Sequence, residues 1–363
     1  MAKVIIAMSG GVDSAVAAAL LIRQGYDVRG LTLQLWHASR TDQKGLEAAR
    51  QVAAQLGIPL HVKDARESFQ QEVVKSFIAS HLANETPNPC ILCNRILKWT
   101  QMIDFANKQG AEFVATGHYA RIIQGVNGRF ELWRANDLAK DQSYMLSNLT
   151  QHELKRSILP LGELRKPEVR AIAQGLGLTV SDTPDSQDLC FVDQEDYHQF
   201  LREYAPASTQ PGEIRTSQGQ LLGMHQGLAF YTIGQRKGLP AYTEALYVLE
   251  KKPETNTLIV GTASELGNSN FLVYPVNWIS GQSPLLPLVC EVKIRYRAIP
   301  VSSTLTAADG NGVMVETSQP LRDITPGQSA VFYEGEKVLG GGIIRANGRQ
   351  PYEKQRNILF AVF

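Results

Sequence analysis

The stretch Lys3-Val4-Ile5-Ile6-Ala7-Met8-Ser9-Gly10-Gly11-Val12-Asp13-Ser14 decides the fold. Residues 3–8 form a short apolar run rich in branched side chains. It reads as a strand buried on both faces, the parallel-sheet kind. Ser9-Gly10-Gly11 breaks the run. Val12 to Gln24 then reads as a helix dense in Ala and Leu, ended by Gly25. Glycines between a strand and a helix let the backbone turn sharply, so that amide groups point at a ligand. The helix N-terminus adds partial positive charge, and Ser9 and Ser14 add hydroxyls, which makes an anion site suited to phosphate. Two familiar phosphate loops are excluded: no Gly-Lys-Ser/Thr follows, and G-x-G-x-x-G is missing. The plain alternative is a strand–helix turn with helix-capping serines.

Working outward, a second strand is expected at Val28–Leu35. A helix follows over 43–56, with Leu46, Ala49, Val52 and Leu56 at helical spacing and Gly57 after it. A third strand reads at Leu60–Val62, helices at 66–83 and 94–109, and a fourth strand at Phe113–Thr116, ending at Gly117-His118. Strands alternating with helices predict an α/β fold with a doubly wound parallel sheet. In such sheets ligands bind beyond the carboxyl ends of the strands. Ser9–Ser14, Gln34–Trp36 and Gly117-His118 are therefore expected to converge. Beyond residue 120, Arg121–Gln124 and Arg129–Trp133 flank Val126-Asn127-Gly128, a hairpin signal. Helical texture returns at 151–175, and Ala205 to Gly212 reads as a linker. Short strands between Gly, Pro and Asn turns then run to the C-terminus. The expected division is an α/β domain over 1–205, a small central, mainly β domain over 206–274 and a C-terminal β-barrel over 275–363.

The chain has 363 residues, with 36 Lys plus Arg against 35 Asp plus Glu, and 44% of it is hydrophobic. That composition excludes general disorder. The net charge of +1 excludes bulk electrostatic attraction to nucleic acid, so any basic surface must be local. Residues 4–22 are largely apolar, but Ser9, Gly10, Gly11, Asp13 and Ser14 interrupt them, which does not suit a membrane helix. The run before the glycines is too short for a signal peptide. A cytoplasmic protein without a membrane partner is expected.

Four cysteines in a chain of this length do not make a secreted disulfide scaffold. Cys90 and Cys93 sit in Asn88-Pro89-Cys90-Ile91-Leu92-Cys93-Asn94, where Pro87 and Pro89 fix an extended approach. Cys93 is expected near a helix start, where the dipole lowers a thiol pKa. Cys190 lies in Asp185-Ser186-Gln187-Asp188-Leu189-Cys190-Phe191. Three readings stand: inert buried thiols, a zinc knuckle (for which one C-x-x-C is weak evidence), and sulfur chemistry beside a nucleotide site. Cys290, following the apolar run Leu285–Val289, reads as inert.

Ser9-Gly10-Gly11-Val12-Asp13-Ser14 resembles the motif of the PP-loop ATP pyrophosphatases. The resemblance implies cleavage of ATP to AMP and pyrophosphate, with AMP moved onto a substrate oxygen. The chain also resembles the tRNA-specific 2-thiouridylase family, through residues 9–14, 88–94, Thr116-Gly117-His118-Tyr119, 140–144, Cys190-Phe191 and Gly234-Gln235-Arg236-Lys237-Gly238-Leu239. Order and spacing of these motifs span nearly the whole chain. Members convert the C2 oxygen of the wobble uridine of certain tRNAs to sulfur.

The resemblance implies ATP contacts at Ala7, Met8, Ser9, Gly10, Gly11, Val12, Asp13, Ser14, Leu33 and Gly117. It implies a persulfide on Cys190 and a partner nucleophile at Cys93, with a persulfide donor (a cysteine desulfurase or sulfur-relay protein) and a thiol reductant as partners. It implies tRNA contacts at Asn88, Pro89, Cys90, His118, Lys140, Asp141, Gln142, Arg295, Tyr296 and Gln328. Many members carry Asp where this chain has Cys90, which supplies a third thiol; Cys90, Cys93 and Cys190 together would suit an iron–sulfur cluster as the alternative to the persulfide. Mg²⁺ is expected with ATP, and Asp13 is the candidate acidic ligand. In the C-terminal module, strict alternation along 291–297 puts Lys293, Arg295 and Arg297 on one strand face. Arg295 and Tyr296 can then both reach RNA only at a strand end or bulge. The competing functions are another PP-loop adenylating enzyme, which needs no cysteine pair, and a non-catalytic RNA-binding protein; the intact Ser9, Asp13 and Ser14 argue against the latter.

Overall fold

The computed structural model describes residues 1–36, 40–181, 189–192 and 197–346. Asp185-Ser186-Gln187-Asp188 of the Cys190 motif lies outside them. The first half alternates as expected: β1 (Lys3–Ala7), α1 (Val12–Arg23), β2 (Asp27–Gln34), α2 (Arg40–Leu56), β3 (Leu60–Asp64) and β4 (Phe113–Ala115). A hairpin, β5 (Ala120–Gln124) and β6 (Phe130–Arg134), precedes the short strand β7 (Ser157–Ile158). Strands β3-β2-β1-β4-β7 form one parallel sheet in that order. Val4, Ile5 and Ile6 are fully buried because helices cover both faces. Val4 and Ile6 pack with Ala15, Val16 and Ala17 of α1, whereas Ile5 packs with Met102, Ile103 and Ala106 on the other side. Strand order reverses at β1, so a crevice opens past the ends of β1 and β4.

The helix expected from residue 94 starts earlier. Pro89–Cys93 is helical, continues as a π-helical segment Asn94–Trp99 and ends as Thr100–Gln109. The Asn88 side chain caps it by accepting the Cys90 N–H at 3.2 Å, and Pro89 takes the first helical position, where its missing N–H costs nothing. The segment 205–212 is also more ordered than a linker. Pro206–Thr209 forms a 3₁₀ turn, and Ala205 and Ser208 are buried.

The central sheet contains β8 (Gly212–Thr216), β9 (Leu221–His225), β10 (Tyr247–Lys252) and β11 (Thr257–Gly261). Ile214, Val248, Leu258 and Val260 make its core. Six further strands follow: β12 (Asn268–Trp278), β13 (Leu288–Lys293), β14 (Val301–Ala307), β15 (Val313–Leu321), β16 (Ser329–Glu334) and β17 (Lys337–Arg345). They run antiparallel in the order β12-β15-β14-β13-β16-β17 and close into a barrel through β12–β17 pairing. β12 is continuous across residues 274 and 275. The β5–β6 hairpin joins the barrel, with Trp133 opposite Lys337 and Leu132 opposite Val338. β13 ends at Lys293, and residues 294–297 turn away. The expected face of Lys293, Arg295 and Arg297 therefore does not form, because the strand stops before Arg295. No described helix is long and apolar enough to cross a membrane.

Candidate active site

The loop after β1 is built as its residues require. Gly10 has a φ of +79°, a backbone region glycine adopts without strain. Gly11 caps α1, whose first turn carries Asp13. Ser14 Oγ donates to the Gly11 carbonyl at 3.0 Å and accepts the Ser9 N–H at 3.3 Å. These bonds shape the loop. Met8 and Val12 are buried in the core, and Ala7 and Leu33 are half-buried. Gly117, after β4, lies against α1: a Cβ there would meet the Asp13 carbonyl carbon at 2.7 Å and the Ser14 nitrogen at 2.8 Å. The crevice thus joins Ser9–Ser14 to Gly117-His118, as the sequence predicts.

Asp13 is tied from below by two residues that sequence reasoning did not single out. Lys166 Nζ lies 2.8 Å from each carboxylate oxygen, and the Tyr119 hydroxyl donates to Oδ1 at 2.7 Å. The Lys166 side chain is only 8% exposed, whereas that of Asp13 is 31% exposed and partly solvated. This neutralises a carboxylate that would otherwise repel phosphate at the helix N-terminus. Tyr119 was legible beside Thr116-Gly117-His118; Lys166, 153 residues from Asp13, carries no local signal.

Next to this crevice stand the thiols. Cys93 is 4% exposed and Cys90 half-buried, whereas Cys190 is exposed. Cys93 shares one cluster with Phe69, Phe77, Leu97 and Phe191, the neighbour of Cys190. Phe191 also meets Trp36, at 6.1 Å between ring centroids, so the segment after β2 reaches the Cys190 side of the crevice. Lys98 is the shared cation. Burial lowers its ammonium pKa, but Cys93, Cys90 and Cys190 outweigh that and leave it raised. The helix spacing explains the position, since Lys98 lies one π-helical turn beyond Cys93.

The expected dipole effect on Cys93 is reversed. Its helix begins at Pro89, and burial raises the thiol pKa; Lys98 pulls it down and Cys90 pushes it up again. Cys90 is likewise raised by burial and lowered by Lys98. Desolvation wins because it acts on the whole charge, whereas the dipole is a partial one. Cys290 lies in the barrel core, raised to about 12 by burial and then by Glu291 and Glu334, and fits its inert reading.

His118 connects the two halves of the crevice. Its Nδ1 is 2.8 Å from Thr116 Oγ1 and its ring is 5.7 Å from that of Trp99. Burial, aided by Lys98, takes its pKa down to about 3, so the ring is neutral. A continuous line therefore runs from Asp13 and Ser14 through Gly117 and His118 to Trp99, Lys98 and the thiols.

The other expected RNA contacts are mostly engaged within the protein. Asp141 is buried and accepts from the Ala135 and Ser143 N–H groups, both at 3.1 Å. Gln142 accepts the Tyr119 N–H at 3.0 Å, and Lys140 sits half-buried in the turn before it. Arg295 binds Thr325 Oγ1 at 2.8 Å and lies 3.1 Å from Asp323, while the Tyr296 ring meets Tyr144. Gln328 donates to the Thr86 carbonyl at 2.7 Å. Among the described residues no three His, Cys, Asp or Glu side chains are grouped to hold a metal ion. The alternative cluster on Cys90, Cys93 and Cys190 is thus not assembled, and Asp13 is bonded to Lys166 and Tyr119.

A loop of this design at the switch point of a doubly wound sheet defines the PP-loop class of nucleotide-binding proteins. Three family profiles match in series: a tRNA methyl transferase HUP domain over 2–194, a tRNA methyl transferase PRC-barrel domain over 198–262 and an aminomethyltransferase beta-barrel domain over 268–344. A tRNA-specific 2-thiouridylase MnmA of Chloroflexus aurantiacus is 44% identical, covering 95% of this chain and 98% of its own. That of Magnetococcus marinus is 45% identical, covering 94% and 98%. Among solved structures, a 4-thiouridine synthetase–RNA complex with bound ATP matches with a TM-score of 0.33 at 17% identity, over 56% of this chain and 50% of that one. A predicted subunit of tRNA methyltransferase from Methanocaldococcus jannaschii matches with a TM-score of 0.33 at 16% identity, over 56% and 88%. The chain belongs to the tRNA-specific 2-thiouridylase family.

Proposed function

We propose that this enzyme replaces the C2 oxygen of the wobble uridine of tRNA with sulfur, using ATP. The observation that carries the reading is the unbroken line from the phosphate loop, through Gly117 and His118, to Lys98 and the thiols. ATP enters with its Mg²⁺ as substrate. Its phosphates lie on the Ser9–Ser14 amides and the positive end of α1. The C2 oxygen attacks the α-phosphorus, the N3 proton is released, and pyrophosphate leaves with the bonding electron pair. The C2 oxygen, a poor leaving group on its own, now departs as AMP.

Sulfur follows as a persulfide on Cys190, loaded by a donor protein that carries persulfide. The terminal sulfur attacks C2 and AMP leaves. The Cys93 thiolate then attacks Sγ of Cys190, which breaks the S–S bond, frees the C2 thione and leaves a Cys93–Cys190 disulfide. The transferred sulfur gains the two electrons the cysteines lose, and a dithiol reductant resets the pair. These free thiols suit a reducing, cytoplasmic setting. His118, Lys140 and the Asn88–Cys90 segment face RNA in this reading.

The test is nucleoside mass spectrometry of tRNA incubated with the enzyme, ATP and a persulfide donor, alongside pyrophosphate release. The expected result is 2-thiouridine that requires both ATP and donor. Pyrophosphate release without tRNA, or tRNA that gains no sulfur, would reject it.

A further inference from the structure

Thr86 lies four residues before Cys90 and is gripped by the barrel. Its N–H donates to the Pro326 carbonyl at 2.9 Å, and its own carbonyl accepts from Gln328 Nε2 at 2.7 Å. Gly327 fits between: a Cβ there would lie 2.9 Å from Glu85 Cβ and 3.0 Å from the Thr86 nitrogen. Beside it, Arg345 at the end of β17 faces Glu85 at 3.5 Å, with the two side chains 13% and 12% exposed. The gripping turn is itself anchored, because Gly327 donates to Ile344 and Ile344 to Gln328, at 3.0 and 2.8 Å. The Arg295 bond to Thr325 Oγ1 closes it from the other side.

Between the grip and the thiol helix stand only Pro87 and Asn88. Pro87 has a fixed φ, Asn88 is spent on capping, and Pro89 already belongs to the helix. Such a connector has little slack, so a shift at Thr86 moves Cys90 and Cys93.

We propose that Gln328 and the Glu85–Arg345 pair are positioning residues, through which the barrel sets where Cys90 and Cys93 stand against the ATP crevice. The proposal rests on the reading of Cys93 as a reactive thiol. Gln328 acts on the thiol segment through Thr86, without needing to touch RNA.

The experiment uses full-length enzyme without ATP or RNA and follows iodoacetamide labelling of each cysteine by peptide mass spectrometry. Gln328→Glu is nearly isosteric but cannot donate to the Thr86 carbonyl, and Arg345→Met opens the other side. Both should label Cys93 and Cys90 about fivefold faster, the population change that losing one net hydrogen bond produces. Cys190, already exposed, should label at an unchanged rate. In Arg345→Met, affinity for an anticodon stem-loop should hold within about twofold while single-turnover thiolation slows, which separates positioning from contact. Unchanged labelling of Cys90 and Cys93 in both variants would overturn the proposal. So would a Gln328→Ala variant that loses RNA affinity with labelling unaltered. Were the wild-type enzyme to leave tRNA unmodified, the function reading would fail, while the labelling comparison would still decide the grip.

Discussion

Lys166 holds its ammonium 2.8 Å from both carboxylate oxygens of Asp13, in the first turn of α1. The contact joins the segment after β7 to the loop after β1. It gives the anion site a carboxylate whose charge is already answered.

Lys166→Met should therefore weaken ATP binding more than it weakens the fold. An uncompensated Asp13 is left facing the triphosphate, so ATP affinity should drop about tenfold or more, whereas adenosine affinity should hardly change. Because Asp13 is partly solvated, the stability loss should stay at about 1–2 kcal/mol. Calorimetric titration with each ligand and a thermal melt check both parts.

Gly117→Ala places a methyl group within 3 Å of the Asp13 and Ser14 backbone. Neither backbone can retreat without unseating α1. A loss of about 1–3 kcal/mol in stability is expected, with ATP binding reduced in parallel. Urea denaturation and ATP titration of one preparation measure the two effects.

Cys93→Ser and Cys190→Ser should each abolish sulfur transfer and leave ATP- and tRNA-dependent pyrophosphate release in place. In the proposed mechanism the sulfur steps follow adenylation and use different atoms. Either variant retaining full thiolation, read by nucleoside mass spectrometry, would remove that cysteine from the mechanism.

The thiol steps should also climb with pH. Burial raises Cys90 and Cys93, so the protonated form persists further into alkaline solution, and the thiolate that does the chemistry becomes more abundant as pH rises from 7 to 9. Lys98→Met removes the charge that opposes this shift. Its single-turnover pH profile should move to higher pH relative to wild type. An unmoved profile would show that Lys98 does not govern the thiols. His118, held neutral with a pKa of about 3, should add no inflection between pH 5 and 8.

Acid should destabilise the fold through a different histidine. His81 is 1% exposed and, by burial and then by Lys251, is lowered to about 3. The unfolded chain binds that proton more readily than the folded one, so the contribution is whole above pH 6.5 and is lost as pH falls towards 3. At pH 5.5 about 1.4 kcal/mol of it is lost, which urea midpoints of wild type and His81→Phe can resolve.

The apolar run before Ser9, the paired glycines and the Ala-rich segment after them state a buried strand, a phosphate turn and a helix within a dozen residues. Strand β1 and helix α1 lie where that reading puts them, because their causes are local. The cysteine motif gave a capped helix only in part. Pro89 looked like an extended approach and proved to be the first helical residue, because the Asn88 side chain supplies the cap. Local spacing also could not say that β13 stops at Lys293, since alternation continues in the sequence after the hydrogen-bonding partner strand has ended.

Sequence by itself determined the α/β class, the strand–glycine turn–helix unit and the family. These depend on backbone propensity, apolar period and short motifs, all of which act over a few positions. Tertiary structure alone decided that Lys166 answers Asp13, that Cys190 is brought within reach of Lys98, that burial reverses the dipole at Cys93, and that the barrel grips Thr86. Each of these depends on which distant segments are brought together and on how much water is excluded between them; desolvation and ion pairing act through space, and no spacing along the chain encodes that distance.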